Sequence, residues 1–236
     1  MACRAHFTML GGRVRLHDVP PRPTEEALWL AHALISHPPA VAGPVLDAGC
    51  GCGVVGLTLL TRQYDIGEGA FCLTEPMTGV DVCPDLIAIA QENAKLNGHK
   101  LAYQSVIADF TNLPFAPHTF AAVVANLPFH AATRGHNPQD ADRALAKTLP
   151  PNTLEPWLDA LWRVVKPGGV LWVLLHTAEC PKVSMYLQQK GLTAHSIQLQ
   201  SQAGHLAKRA LHGIGHPATL STWRTFDPAL RQVALG

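Results

Sequence analysis

The stretch Val45–Gly53, V-L-D-A-G-C-G-C-G, constrains this chain more than any other. A short apolar run ends in an acid, Asp47. Three alternating glycines come next, Gly49, Gly51 and Gly53, and then a helix-compatible apolar segment, Val54–Leu60. Strand, glycine turn, helix is how a doubly wound α/β sheet holds a nucleotide-like ligand. The glycines let the main chain turn sharply and approach a ligand where a Cβ would clash. The same spacing also suits a plain strand-to-helix turn, so the glycines alone do not decide between the two.

The rest of the chain alternates in the same way. Phe7–His17 reads as a short hairpin turning at Gly11-Gly12, and prolines 20, 21 and 23 break the chain after it. Thr24 is a candidate N-cap for an apolar-faced helix that ends at His37-Pro38-Pro39. A long polar loop, Gln63–Thr78, leads to a second strand at Gly79–Val82. Pro84 then opens a helix over Asp85–Asn97, stopped by Gly98. Strands are expected at Leu101–Ala108 and Phe120–Ala125, and a helix at Thr153–Val165. Lys166-Pro167-Gly168-Gly169 reads as a sharp turn into a buried strand, Val170–Leu175. A helix over 178–190, a strand over 193–200 and a last antiparallel strand near Leu206–His212 complete the pattern. The expected fold is a Rossmann-like, doubly wound, mostly parallel α/β sheet of seven strands with an antiparallel last strand. A hairpin and linker, residues 1–23, precede the main domain, residues 24–236. The long loop His130–Asn152, with a short helix expected over Asp140–Lys147, is the kind of insertion that usually carries function.

Composition excludes several classes. No apolar run approaches the ~18 residues needed to span a bilayer, and Met1–Leu10 has no apolar core of a signal peptide. A cytoplasmic protein is expected. Its six cysteines are scattered and without zinc-like spacing, so free thiols and no metal site are expected. Net charge is +1, but the ends are basic. Arg4, Arg13, Arg15 and Arg22 stand against Asp18. Lys182, Lys190, Lys208, Arg209, Arg224 and Arg231 stand against Asp227. An extended anionic partner can lie across such ends.

Four polar features fall at expected strand ends: the glycine turn, Asp81 with Val82, Asp109 with Phe110, and Asn126-Leu127-Pro128-Phe129. Ligands of open parallel sheets bind at the carboxyl ends of the strands. Asp81 suits the two ribose hydroxyls of a nucleoside. Asp109 suits an adenine amino group, with Phe110 against the ring. Asp47 suits either the glycine loop or an ammonium group, and would repel a pyrophosphate; the cofactor is therefore expected to lack phosphates.

Val45–Gly53, Gly79-Val80-Asp81 and Lys166–Gly169 together resemble class I S-adenosylmethionine-dependent methyltransferases. Asn126-Leu127-Pro128-Phe129 resembles the N-[LP]-P-[FYW] element of those that methylate an amino nitrogen. Over Leu10–Leu16, Gly79–Gly98, Asp140–Leu158 and Ala203–Leu211, the chain is similar to the bacterial tRNA adenine-N6 methyltransferases. The resemblance implies S-adenosyl-L-methionine as cofactor, held by Asp47, Gly49, Gly51, Gly53, Asp81, Val82, Asp109, Phe110 and Asn126. It implies catalysis at Asn126, Leu127, Pro128 and Phe129. Two departures stand out. Leu127 replaces the first proline of the family's N-P-P-[YF], and Pro20-Pro21-Arg22-Pro23 stands where the family has a glycine-aromatic-arginine stretch.

A conjugated exocyclic amine is a poor nucleophile. The Asn126 side-chain carbonyl and the Leu127 main-chain carbonyl can each accept one amino hydrogen and aim the lone pair at a methyl donor. Arg13, Arg15, Arg134, Lys208 and Arg209 are the candidate phosphate contacts to RNA, expected to be tRNA. The protein is expected as a monomer or homodimer. Other readings stay open: a protein glutamine or an rRNA guanine or cytosine as target, or a non-catalytic cofactor- or RNA-binding module. A dinucleotide oxidoreductase is disfavoured by glycines spaced G-x-G-x-G and not G-x-G-x-x-G.

Overall fold

A computed structural model of the chain describes residues 6–19, 23, 25–62, 73, 75–127, 130–131, 148–149, 154–199 and 209–216. The strands are β1 (His6–Met9), β2 (Val14–His17), β3 (Val45–Ala48), β4 (Met77–Asp81), β5 (Tyr103–Ile107), β6 (Phe120–Asn126), β7 (His130–Ala131), β8 (Thr148–Leu149), β9 (Val165–His176), β10 (Thr193–Leu199) and β11 (Arg209–Gly215). The helices are α1 (Glu25–Ser36), α2 (Val54–Arg62), α3 (Pro84–Leu96), α4 (Leu154–Arg163) and α5 (Cys180–Lys190).

Seven strands form the central sheet in the order β10-β11-β9-β6-β3-β4-β5. All neighbours are parallel except around β11, which runs antiparallel to both β9 and β10. This is the expected doubly wound sheet with its antiparallel last strand. The order reverses between β3 and β6, so the chain leaves the first half of the sheet and returns on the other side of β3. A crevice opens at the carboxyl ends of strands at such a point.

Strand alternation divides the core in two. On β9, Val170, Trp172 and Leu174 face one cluster with α1, α2, Ala90 and Ala94 of α3, and the hairpin. Leu171, Val173 and Leu175 face the other, with α4 and α5. The hairpin docks through Val14 and Leu16, both fully buried, while Arg13 and Arg15 point outward. Burying each aliphatic side chain is worth about 1.5–3 kcal/mol. An exposed ion pair contributes about 0–1 kcal/mol. Apolar burial therefore seats the hairpin, and the arginines stay on its surface.

Three expectations are corrected. Lys166–Gly169 is not a free-standing turn but lies within β9, where the β6–β9 register shifts between Phe120 and Ala122. Gly168 takes φ +80°, and a Cβ on Gly169 would sit 2.6 Å from the Ala121 carbonyl oxygen. The glycines thus make a bulge that keeps pairing instead of ending it. The third strand of the sheet's first half is shorter than read, Tyr103–Ile107. The last strand lies at Arg209–Gly215 and pairs with β9 as well as with β10. Within the long loop, β7 and β8 pair in parallel; the helix expected over Asp140–Lys147, like Thr24 and Pro20–Arg22, lies outside the described residues.

Candidate functional site

Ala48 of β3 is level with Val80 of β4 and with Ala125 of β6. The residues just beyond, Gly49, Asp81 and Asn126, therefore emerge side by side at the carboxyl edge of three adjacent strands. Asp109 comes after β5, one strand further out. The register of the sheet sets the glycine loop, Asp81 and Asn126 on neighbouring strand ends, with Asp109 at the next strand out.

The glycine loop is held by hydrogen bonds to its main chain. The Gly49 and Cys50 amides both donate to the Val80 carbonyl at 2.8 Å, and the Gly53 amide donates to the Cys50 carbonyl at 2.8 Å. The Gly51 amide donates to Asp81 Oδ2 at 2.9 Å. Gly51 has φ +53°, and a Cβ built on it would project into open space. The loop thus presents bare main chain to the crevice, a surface that a flat ligand can approach closely.

Asp81 divides its carboxylate: Oδ2 takes Gly51, and Oδ1 accepts the Cys83 amide at 3.0 Å. It remains partly exposed, and Val82 beside it is 53% exposed. Asp47 is the opposite case. It is 2% exposed, and its Oδ2 accepts the Gly56 amide from the first turn of α2 at 3.2 Å. Burial lifts its pKa to about 7, against the Gly56 hydrogen bond, and the charge of Asp81 adds to the rise. Burial likewise pushes the Cys50 thiol up, and that of Cys52 to about 11. Both cysteines stay protonated and pack as small apolar side chains.

Asn126 ends β6 with its Oδ1 buried and without a hydrogen-bond partner among the described residues. Such an acceptor costs about 1–3 kcal/mol, so it marks a place where a donor belongs. Leu127 is fully buried and its amide donates to the Leu174 carbonyl at 3.3 Å, which anchors the segment to β9. Pro128 and Phe129 lie outside the described residues. Asp109 Oδ1 accepts both the amide (2.8 Å) and the hydroxyl (2.9 Å) of Thr111 and caps a single 3₁₀ turn, Phe110–Asn112.

Two candidate phosphate contacts bind within the protein. Arg15 donates through Nη2 to the Leu96 carbonyl at 2.8 Å, at the C-terminal end of α3. Arg209 pairs with Glu26 of α1 at 2.9 Å. Arg13 is exposed on the hairpin turn, and Arg134 and Lys208 lie outside the described residues.

Three residues of the site, Gly56, Tyr103 and Asn93, escape a reading of the sequence. Gly56 supplies the amide that meets Asp47, and a Cβ there would run into the ring of Tyr103, buried beneath the loop. Asn93 of α3 is fully buried and donates to the Cys52 carbonyl at 2.9 Å. A signal for Asn93 existed: it is a polar residue three positions after Ala90, on the face that helical spacing sends inward.

The residues fit a nucleoside cofactor without phosphates: a bare-backbone loop, a partly exposed carboxylate on the next strand, and an unsatisfied acceptor on the other side. Among the described residues, no cluster of three metal-ligating side chains occurs and no helix is long and apolar enough to cross a membrane.

Comparison with known proteins agrees with this geometry. The chain is 28% identical over 169 residues to ribosomal RNA small subunit methyltransferase C of Shewanella sediminis; the match covers 69% of this chain and 40% of that protein, less than half its length. The fold matches a predicted O-methyltransferase from Agrobacterium tumefaciens with TM-score 0.60 and 14% identity, over 88% of this chain and 94% of the other. It also matches a TehB-like SAM-dependent methyltransferase from Corynebacterium glutamicum with TM-score 0.52 and 16% identity, over 83% and 90%. The family model for the methyltransferase domain matches residues 45–169, which run from β3 through the bulge of β9 and cover more than half of the chain. The chain belongs to the methyltransferase domain family.

Proposed function

We propose that this protein transfers the methyl group of S-adenosyl-L-methionine to an exocyclic amino nitrogen, adenine N6 in tRNA. The observation that carries the reading is the buried Oδ1 of Asn126, without a partner among the described residues and one strand from the glycine loop. An acceptor in that position needs a donor, and an amino group supplies one. The basic ends of the chain and the ribosomal RNA in the name of the Shewanella relative favour RNA over protein as the target.

When bound, the cofactor supplies an electrophilic methyl group on a sulfonium. The chain's part is positioning. Asp81 would accept the ribose hydroxyls without releasing Gly51, and Val82 and Asp109 would hold the adenine. Asp47, beneath the loop, would hold the ammonium group when ionised. Asn126 Oδ1 and the Leu127 carbonyl each accept one hydrogen of the target amine, which draws the nitrogen toward sp³ geometry and fixes its lone pair. Orientation of this kind can supply up to about 7–11 kcal/mol of a barrier. Phe129 offers an aromatic ring on which a base flipped from its strand could stack, worth about 1–3 kcal/mol. No general base acts before attack, because the amine becomes acidic only as the methyl arrives.

The test uses methyl-labelled S-adenosylmethionine with unmodified total RNA. Wild type is expected to leave label as N6-methyladenosine in the tRNA fraction. Asn126→Ala is expected to lose about 10²–10³-fold in rate while still binding S-adenosylhomocysteine. Label that resists nuclease and yields to protease would overturn the RNA target.

A further inference from the structure

We propose that Asn93 is a positioning residue that ties the glycine loop to the N-terminal hairpin, so that binding the cofactor and ordering the hairpin reinforce each other. The inference rests on S-adenosylmethionine as the ligand of the loop.

The side-chain amide of Asn93 is fully buried and engaged at both ends. Its Nδ2 donates to the Cys52 carbonyl at 2.9 Å, and its Oδ1 accepts the His17 amide of β2 at 2.8 Å. Cys52 sits between Gly51 and Gly53, at φ +53° and +85°. Flanked by two glycines, as Cys50 also is, its peptide planes turn more freely than those of a residue between two side-chain-bearing neighbours. Asn93 fixes the direction of one of them. Asp81 holds the loop from the opposite side through Gly51.

At the other end, the same amide belongs to an unusual edge. One side of β2 pairs with β1; the other, among the described residues, is closed by α3 and not by a strand. Asn97 Oδ1 accepts the Arg15 amide at 2.8 Å, and Asn97 Nδ2 donates to the Arg15 carbonyl at 2.6 Å. Asn93 takes His17 two residues on. The spacing matches: four helical residues rise about 6 Å, and two strand residues rise about 6.6 Å. Two asparagines one helical turn apart thus stand in for a third strand. Asn97 anchors the hairpin alone; Asn93 anchors the hairpin and the loop through one planar group. A shift of the Cys52 carbonyl on cofactor binding must move the amide that also holds His17.

A merely structural Asn93 would support the fold without linking the two sites. Hydrogen exchange on the full chain separates these cases, with S-adenosylhomocysteine as probe. In wild type, saturating probe is expected to slow exchange in residues 6–17 by about fivefold, a typical coupling between sites, and to leave β10 unchanged. Asn93→Asp keeps the acceptor for His17 and turns a carboxylate toward the Cys52 carbonyl. It is expected to bind the probe about tenfold more weakly, within the usual range of coupling energies, and to lose the slowing of residues 6–17. Unchanged hairpin exchange in wild type with the probe bound would overturn the proposal with no variant needed, as would full retention of the slowing in Asn93→Asp. Failure of wild type to bind the probe at all would overturn the cofactor reading, and this inference with it.

Discussion

Asp81 and Gly51 are joined by a hydrogen bond of 2.9 Å between the side chain closing β4 and the amide at the middle of the glycine loop. One carboxylate therefore shapes the loop and faces the crevice at once. Asp81→Ala removes both roles. Hydrogen bonds to charged groups contribute about 1.5–3 kcal/mol each, so S-adenosylhomocysteine is expected to bind at least about 10- to 100-fold more weakly. Isothermal titration calorimetry measures this directly; unchanged affinity would remove Asp81 from the cofactor site.

Asp47 carries a pH dependence of definite sign. Its folded pKa, about 7, lies above the ordinary value of 3.8. Its contribution to stability is therefore present in full below pH 3.8 and is lost as pH rises through 7. Asp47→Asn removes the loss and is expected to melt above wild type at about pH 8, by a margin that shrinks toward about pH 5. His212, pressed by burial to about 4 from 6.5, works in the opposite sense: stability falls as pH falls from 6.5 toward 4. His212 is common to the two proteins, so its effect cancels in the difference between their melting temperatures. On the proposed contact between Asp47 and the ammonium group, cofactor affinity in wild type is expected to rise through pH 7 and to be flat in Asp47→Asn.

Gly56 lies in α2, where alanine would ordinarily gain up to about 1 kcal/mol. Here a Cβ meets the Tyr103 ring, fully enclosed beneath the loop. Overpacking of this kind costs about 1–3 kcal/mol. Gly56→Ala is expected to lower stability, and less so when Tyr103 is already leucine. Chemical denaturation of the two single variants and the double variant tests the coupling; additive effects would refute the clash.

Much of this architecture was legible from local chemistry. Val45–Gly53 carries its own turn, and Pro84 opened α3 where a proline is tolerated. Asp81 falls where a strand must end. What escaped depends on partners far along the chain. Asn93 meets residues 41 and 76 positions away, and no local pattern tells a buried amide with two partners from a polar interruption. Arg15 and Arg209 read as phosphate contacts, but one reaches the end of α3 and the other pairs across 183 positions with Glu26. Lys166–Gly169 has turn chemistry, and only the neighbouring β6 determines that it bulges and continues as a strand.

Among the described residues, β10 joins the sheet through β11 alone, and β11 comes later in the chain. On the ribosome, β10 emerges before the strand that will receive it has been made, and the open edge of β9 waits for the same seven residues, Arg209–Gly215. Chains that stall or are cut between positions 200 and 208 keep two unpaired strand edges, each a template for association with another chain. One antiparallel strand, β11, therefore seals both edges together.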